Sequence, residues 1–218
     1  MAERIDIYEN WNPWHGCTKV SPGCKYCYVY RQDEMYGSEV SSSECREEYW
    51  LMMKRRRDLL FYFFTKRIDR FMECVPDDWG DGYDNVQVGC TVENQKMADY
   101  RLPIFKSLPI KHKSIIVAPL IGAVDLSAYL DRSIEEVSVG GESGQNARPC
   151  DYAWILAILE QCIKADVPFH FHQTGAQLIK DGRTYRIPRC HQHSQARKAN
   201  INYRIGEFDV PETASNMQ

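Results

Sequence analysis

Between Glu136 and Phe171 the chain reads EVSVGGESGQNARPCDYAWILAILEQCIKADVPFHF. A short apolar run, Glu136 to Val139, ends in Gly140-Gly141 and a polar loop follows. Tyr152 to Ala165 then carries apolar residues at helical spacing, with Trp154, Ile155, Ile158, Leu159 and Cys162 on one face. Val167 to Phe171 is a second apolar run. Strand, turn, helix and strand make a βαβ unit, in which the two strands lie parallel and the crossover is right-handed.

The same alternation extends toward the N-terminus. Leu59 to Thr65 (LLFYFFT) reads as a strand, followed by Lys66 to Glu73 at helical spacing. Val86 to Val92 is the next, followed by the helical stretch Glu93 to Leu108. Ser114 to Ala118 leads through Pro119 and Gly122 to a helical pattern over Val124 to Leu130. Near-continuous apolar strands separated by helices predict an α/β fold, a parallel βα-repeat sheet covered on both faces. Such a sheet is either doubly wound or a partial or closed barrel. In both, the working residues leave the strands' C-terminal ends.

With 218 residues the chain suits one well-buried domain. The βα domain is expected over residues 1–175, with a polar, partly flexible C-terminal extension over 176–218. The formal net charge of −3 argues against wrapping nucleic acid by charge alone, although a local basic face is compatible with it. The densest positive stretch, Lys54 to Arg57, reads as a solvated helix face. No apolar run approaches the roughly 18 residues of a membrane helix, and Met1 to Tyr8 has no signal-peptide core. A cytoplasmic protein is the expectation, where thiols stay reduced, so nine cysteines need a role other than disulfides.

Three of them fall in Trp11 to Tyr30, WNPWHGCTKVSPGCKYCYVY, at the spacing C-x6-C-x2-C. Cys24 and Cys27 sit three apart, so one turn of backbone can aim both at one metal. The insert containing Pro22 and Gly23 lets Cys17 fold back to join them. Three thiolates are one short of the set that closes a 4Fe–4S cluster, leaving one iron open to an outside ligand. Zinc with His15 as fourth ligand, and a loop without metal, are the other readings of these residues. Cys190, His191 and His193 read as a solvated surface turn. Cys45, Cys74, Cys90, Cys150 and Cys162 read as packing cysteines.

Further polar groups stand where the predicted strands end. Gly140, Gly141, Glu142 and Ser143 offer backbone amides and a carboxylate suited to an amino group, or else a tight turn. Lys66 and Arg67 could hold a carboxylate or phosphate. Thr91, Glu93 and Asn94 could read a polar substrate, Glu93 being equally placed to cap the following helix. Gln173 is a further lining candidate.

The cysteine loop resembles the motif of an uncharacterised three-cysteine family of phages and bacteria. The likeness continues through Phe63 to Arg67 (FFTKR), Val88 to Arg101, and Val139 to Pro149 (VGGESGQNARP). That family is in turn similar to radical S-adenosylmethionine enzymes, which place an aromatic before the last cysteine, as Tyr26 is here. The resemblance implies an incomplete barrel and a 4Fe–4S cluster on Cys17, Cys24 and Cys27. It also implies S-adenosylmethionine held by Tyr26, Lys66, Arg67 and Gly140 to Ser143, a reductant protein as partner, and an unknown substrate. Members of the family carry more strand and helix material between the cysteine motif and FFTKR. Tyr28 to Leu59 holds no strand candidate, so this chain is expected to lack one βα unit.

Overall fold

The computed structural model describes residues 17–27, 29–30 and 44–205. Five strands form the main sheet: β1 (Phe61–Thr65), β2 (Val86–Thr91), β3 (His112–Val117), β4 (Ile134–Gly140) and, after the short β5 (Cys150–Asp151), β6 (Phe169–Gln173). Their order is β1-β2-β3-β4-β6 and every neighbouring pair is parallel. The chain is thus an α/β protein whose main strands are added in sequence across the sheet. Among the described residues the sheet is open, with β1 and β6 at its edges. A second sheet joins β5 in parallel to β7 (Gln177–Lys180), which pairs antiparallel with β8 (Arg183–Arg186).

The helices are α1 (Glu44–Arg55), α2 (Gln95–Ser107), α3 (Tyr152–Ala165) and α4 (Arg189–Ala199). Local chemistry explains the limits of α3. The Asp151 carboxylate accepts from Ala153 N at 2.9 Å as its N-cap, and Asp166 ends it in the left-handed region at φ 53°. Ile155, Ile158 and Cys162 are its fully buried face. Each large side chain so buried stabilises the fold by about 1.5–3 kcal/mol relative to exposure.

Three expectations change. The stretch Val124 to Leu130 is not a helix but a turn-rich segment. Asp125 Oδ1 accepts from Ser127 N at 2.9 Å, a local bond that competes with helical pairing, while Gln161 Oε1 accepts from Leu126 N at 2.6 Å. Lys66 to Glu73 shortens to a 3-10 turn over Ile68–Glu73. Cys190, His191 and His193 lie on α4, not in a turn, because Pro188 precedes a run that buries Gln192 and Ala196.

The larger change concerns coverage. The buried core contains Val86, Val88, Cys90, Ile115, Val117, Val137, Val139, Phe169 and Phe171 from one face of the sheet, joined by Trp50, Leu102, Phe105, Ile155 and Ile158 from the helices. Register places the opposite face in rows: Tyr62, Gln87 and His112; Phe64, Gly89, Ser114 and Glu136; Thr91, Ile116, Ser138 and His170. None of these belongs to that core. Among the described residues the core helices thus pack on one face of the sheet, while on the other Gly89, Thr91, Ser114 and Ile116 are buried and Tyr62 and Phe64 are exposed. The β6 edge is closed by α4 and by Tyr203, which exchanges backbone bonds of 2.9 Å with Phe169.

Candidate functional site

The loops leaving β1, β2, β3, β4 and β6 meet at the carboxyl end of the sheet and are tied together by backbone bonds. Ile121 N donates to Glu93 O at 3.0 Å, Leu120 N to Gly140 O at 2.8 Å, and Gly141 N to Gln173 O at 3.1 Å. Gln173 Nε2 returns a bond to Gly141 O at 3.0 Å. Gly141 is glycine because of this crowding: a Cβ there would stand 2.3 Å from Thr174 O. The close approach that its sequence promised is to a neighbouring loop.

The cysteine loop docks on this end. Gly23 N donates to Glu93 Oε1 at 3.2 Å. Glu93 Oε2 accepts from Arg101 Nη1 at 2.8 Å, and the same nitrogen donates to Thr91 O at 2.8 Å. Glu93 and Arg101 are both fully or almost fully buried. Asn94, not Glu93, caps α2, its Oδ1 accepting from Met97 N at 3.0 Å. The Arg67 guanidinium donates to Thr18 Oγ1, a second tie to the loop. A third comes from Arg148, whose guanidinium lies 5.7 Å from the Tyr26 ring centroid.

Arg148 also claims Glu142. The carboxylate accepts from Arg148 N at 2.9 Å, Nε at 2.8 Å and Nη2 at 2.5 Å, which raises the guanidinium's pKa further. A carboxylate has about four acceptor positions, so one on Glu142 is left open by the described residues. Thr91 Oγ1, fully buried at the end of β2, has no hydrogen-bond partner among the described residues. Such orphaned hydroxyls are uncommon and mark places where a bound group could complete the pairing. Ser143 is half-buried beside Glu142.

Cys24 is buried, Cys27 half-buried and Cys17 exposed, all as free thiols. Burial works against ionising Cys24. Hydrogen bonds from the Val20 and Ser21 backbone and the Ser21 side chain, together with the Lys66 charge, outweigh it and bring the thiol below its ordinary pKa. Tyr30 lies within reach of the charge of all three sulfurs. Burial first, then Cys17, Cys24 and Cys27, push its phenol up to about 12, and its hydroxyl donates to Cys17 O at 2.6 Å. The donor chemistry, three free thiols on one loop with Cys24 biased toward thiolate, is of the kind that ligates a cluster. Among the described residues, however, no three His, Cys, Asp or Glu side chains converge to hold a metal ion. His15 lies outside the described residues.

Cys90, Cys150 and Cys162 differ in kind, since burial pushes each up to about 12. Iodoacetamide at pH 8 should therefore alkylate exposed Cys17 and Cys190 in the native protein and leave those three untouched until denaturant is added. Peptide mass mapping over time checks this, and early labelling of Cys162 would contradict the packing.

Sequence reasoning passed over Arg101, Arg148 and Tyr30. Arg101 stands two helical turns beyond Glu93, and Arg148 follows Glu142 within one motif. Each is a cation spaced to return to a carboxylate, a signal available in principle. The fold and site define an open-faced parallel α/β protein with a thiol-bearing loop docked at its strand ends. The chain belongs to the family described as "Protein of unknown function (DUF5131)", whose model matches residues 33–204. That match begins after the three cysteines. No curated protein and no solved structure matches the chain. Among the described residues, no helix is long and apolar enough to cross a membrane.

Proposed function

We propose that the chain is an iron–sulfur protein of the radical S-adenosylmethionine type, its sheet forming part of an incomplete barrel. Cys17, Cys24 and Cys27 would hold a 4Fe–4S cluster. The observation that carries the reading is the docking of this loop on the strand ends through Gly23 and Glu93, with Cys24 biased toward thiolate beside Lys66. Sites in parallel α/β sheets lie at that end.

When bound, such a cluster supplies the electron that splits a sulfonium reductively. The residues of this chain would bind and orient. The free acceptor position on Glu142 suits the ammonium of the methionyl group, and Lys66 with Arg67 suits its carboxylate. Thr91 Oγ1 offers an unused donor and acceptor to a ligand nearby. Arg148 is hydrogen-bonded to Glu142 and lies over the Tyr26 ring, which ties the two loops together.

The test is anaerobic reconstitution, followed by dithionite and S-adenosylmethionine with chromatography for 5′-deoxyadenosine. Release of that product is expected, and Glu142→Gln should weaken S-adenosylmethionine binding roughly tenfold or more, as the loss of a charged hydrogen bond implies. Iron-loaded protein that releases none refutes the S-adenosylmethionine part. Stoichiometric zinc with no iron uptake would assign the loop a closed structural site instead.

A further inference from the structure

The open face of the main sheet has a feature that the strand-end site does not use. Tyr62 and Phe64 stand two apart on the edge strand β1 and are 45% and 53% exposed, their ring centroids 6.3 Å apart. Tyr62 does not project outward. Its ring crosses β2 at Gly89 and its hydroxyl accepts from Ser114 Oγ of β3 at 3.2 Å. A Cβ on Gly89 would stand 3.0 Å from Phe64 Cβ and 3.1 Å from the Tyr62 hydroxyl oxygen. Glycine under the ring and a hydrogen bond at its tip hold it against the sheet, with part of its surface open to solvent.

The same face supplies Ser138 and His170 as hydrogen-bonding side chains and Glu136 as a carboxylate; a second carboxylate, Glu135, accepts from Gln87 Nε2 at 3.4 Å and lies 2.7 Å from His112 Nδ1. Cations flank the aromatic strand. Arg57 precedes it, Lys66 and Arg67 follow it, and exposed Lys19 lies on the docked loop. Asp58, the nearby acid, is already engaged by Arg56 in two bonds of 2.8 and 2.6 Å.

We propose that this face binds single-stranded nucleic acid, with bases stacked on Tyr62 and Phe64 and phosphates drawn to the cations at the two ends of β1. Exposed aromatics on a sheet face are a stacking platform that tolerates any base, because every base has a π-face. Polar groups between the stacking positions can meet base edges, and Glu136 can accept from an exocyclic amino group. The net charge of −3 places the attraction in this local patch. A duplex hides its bases and cannot use the platform. Lys66 and Arg67 are shared with the strand-end site, whereas Tyr62, Phe64 and Arg57 are not, so the aromatic variant tests this face apart from the cluster.

The test uses the full chain as purified and fluorescein-labelled oligonucleotides of about eight nucleotides, a length within the usual single-strand site size. Anisotropy at low salt should show binding to oligouridylate and oligodeoxythymidylate within about threefold of each other, since stacking and phosphate contacts ignore the sugar. Affinity should fall as salt rises. A duplex of equal length should bind at least about tenfold more weakly. Phe64→Ala should weaken single-strand binding roughly tenfold, and Leu51→Ala, an exposed apolar residue on α1, should not. Circular dichroism of both variants checks that the fold is kept.

No binding, a duplex bound equally well, or equal losses in both variants would overturn the proposal. So would sedimentation showing a dimer that Phe64→Ala splits, because the face would then belong to a second copy.

Discussion

Anaerobically reconstituted protein is expected to bind about four irons, and the Cys24→Ala variant none. Cys24 is the choice because it is the buried one of the three loop cysteines and its surroundings already favour the thiolate. A cluster needs its ligands deprotonated, so removing the most biased ligand should cost the most. Two ligands cannot retain a cluster that three hold with one position open. Cys190→Ala, exposed on α4, is the control and should keep full iron and colour. Iron and sulfide analysis with absorbance near about 400 nm reads the result. Full iron in Cys24→Ala would remove the loop from the cluster.

Arg101→Met is expected to destabilise the protein by about 3–5 kcal/mol, since it leaves the Glu93 carboxylate buried without its cation. Side-chain exposure is 2% for Arg101 and 0% for Glu93, so water cannot replace the partner. Against a total stability of about 5–15 kcal/mol this is a loss that urea denaturation resolves easily. The double variant Arg101→Met with Glu93→Leu should recover most of it, because a buried pair replaced by apolar groups is often neutral. Recovery should not extend to the cysteine loop. Gly23 N loses its acceptor in the double variant, so its amide should exchange faster while β3 amides stay protected. A stable double variant with unchanged Gly23 exchange would show that Glu93 does not anchor the loop.

The parallel α/β fold was legible because its signals are local. Apolar runs such as Val86 to Val92 and Ser114 to Ala118 sit at strand length between helical periods, and such a pattern can bury itself only as a parallel sheet. Helix α3 was legible for the same reason, with a capping Asp151 and a one-sided apolar face. Val124 to Leu130 misled because its apolar spacing suits a helix, yet Val124, Leu126 and Leu130 reach the core from a turn held by Asp125 and Gln161. Periodicity records which residues are buried, not by what backbone route.

The sequence alone carried the order and direction of the five main strands and the gathering of Lys66, Glu93, Glu142 and Gln173 at one end. In a βα chain each follows from the position of a residue relative to the end of its strand. Only the tertiary structure decided which charge meets which. Glu93 turned inward to Arg101 and Gly23, Glu142 was taken by Arg148, and Asn94 became the cap. Those pairings link residues on different loops, and desolvation rewards whichever cation can reach a buried carboxylate. The exposure of the β1 aromatics was likewise beyond the pattern. Leu59 to Thr65 looks uniformly apolar, and only the packing of the helices on the other face left Tyr62 and Phe64, at the sheet's edge, facing water.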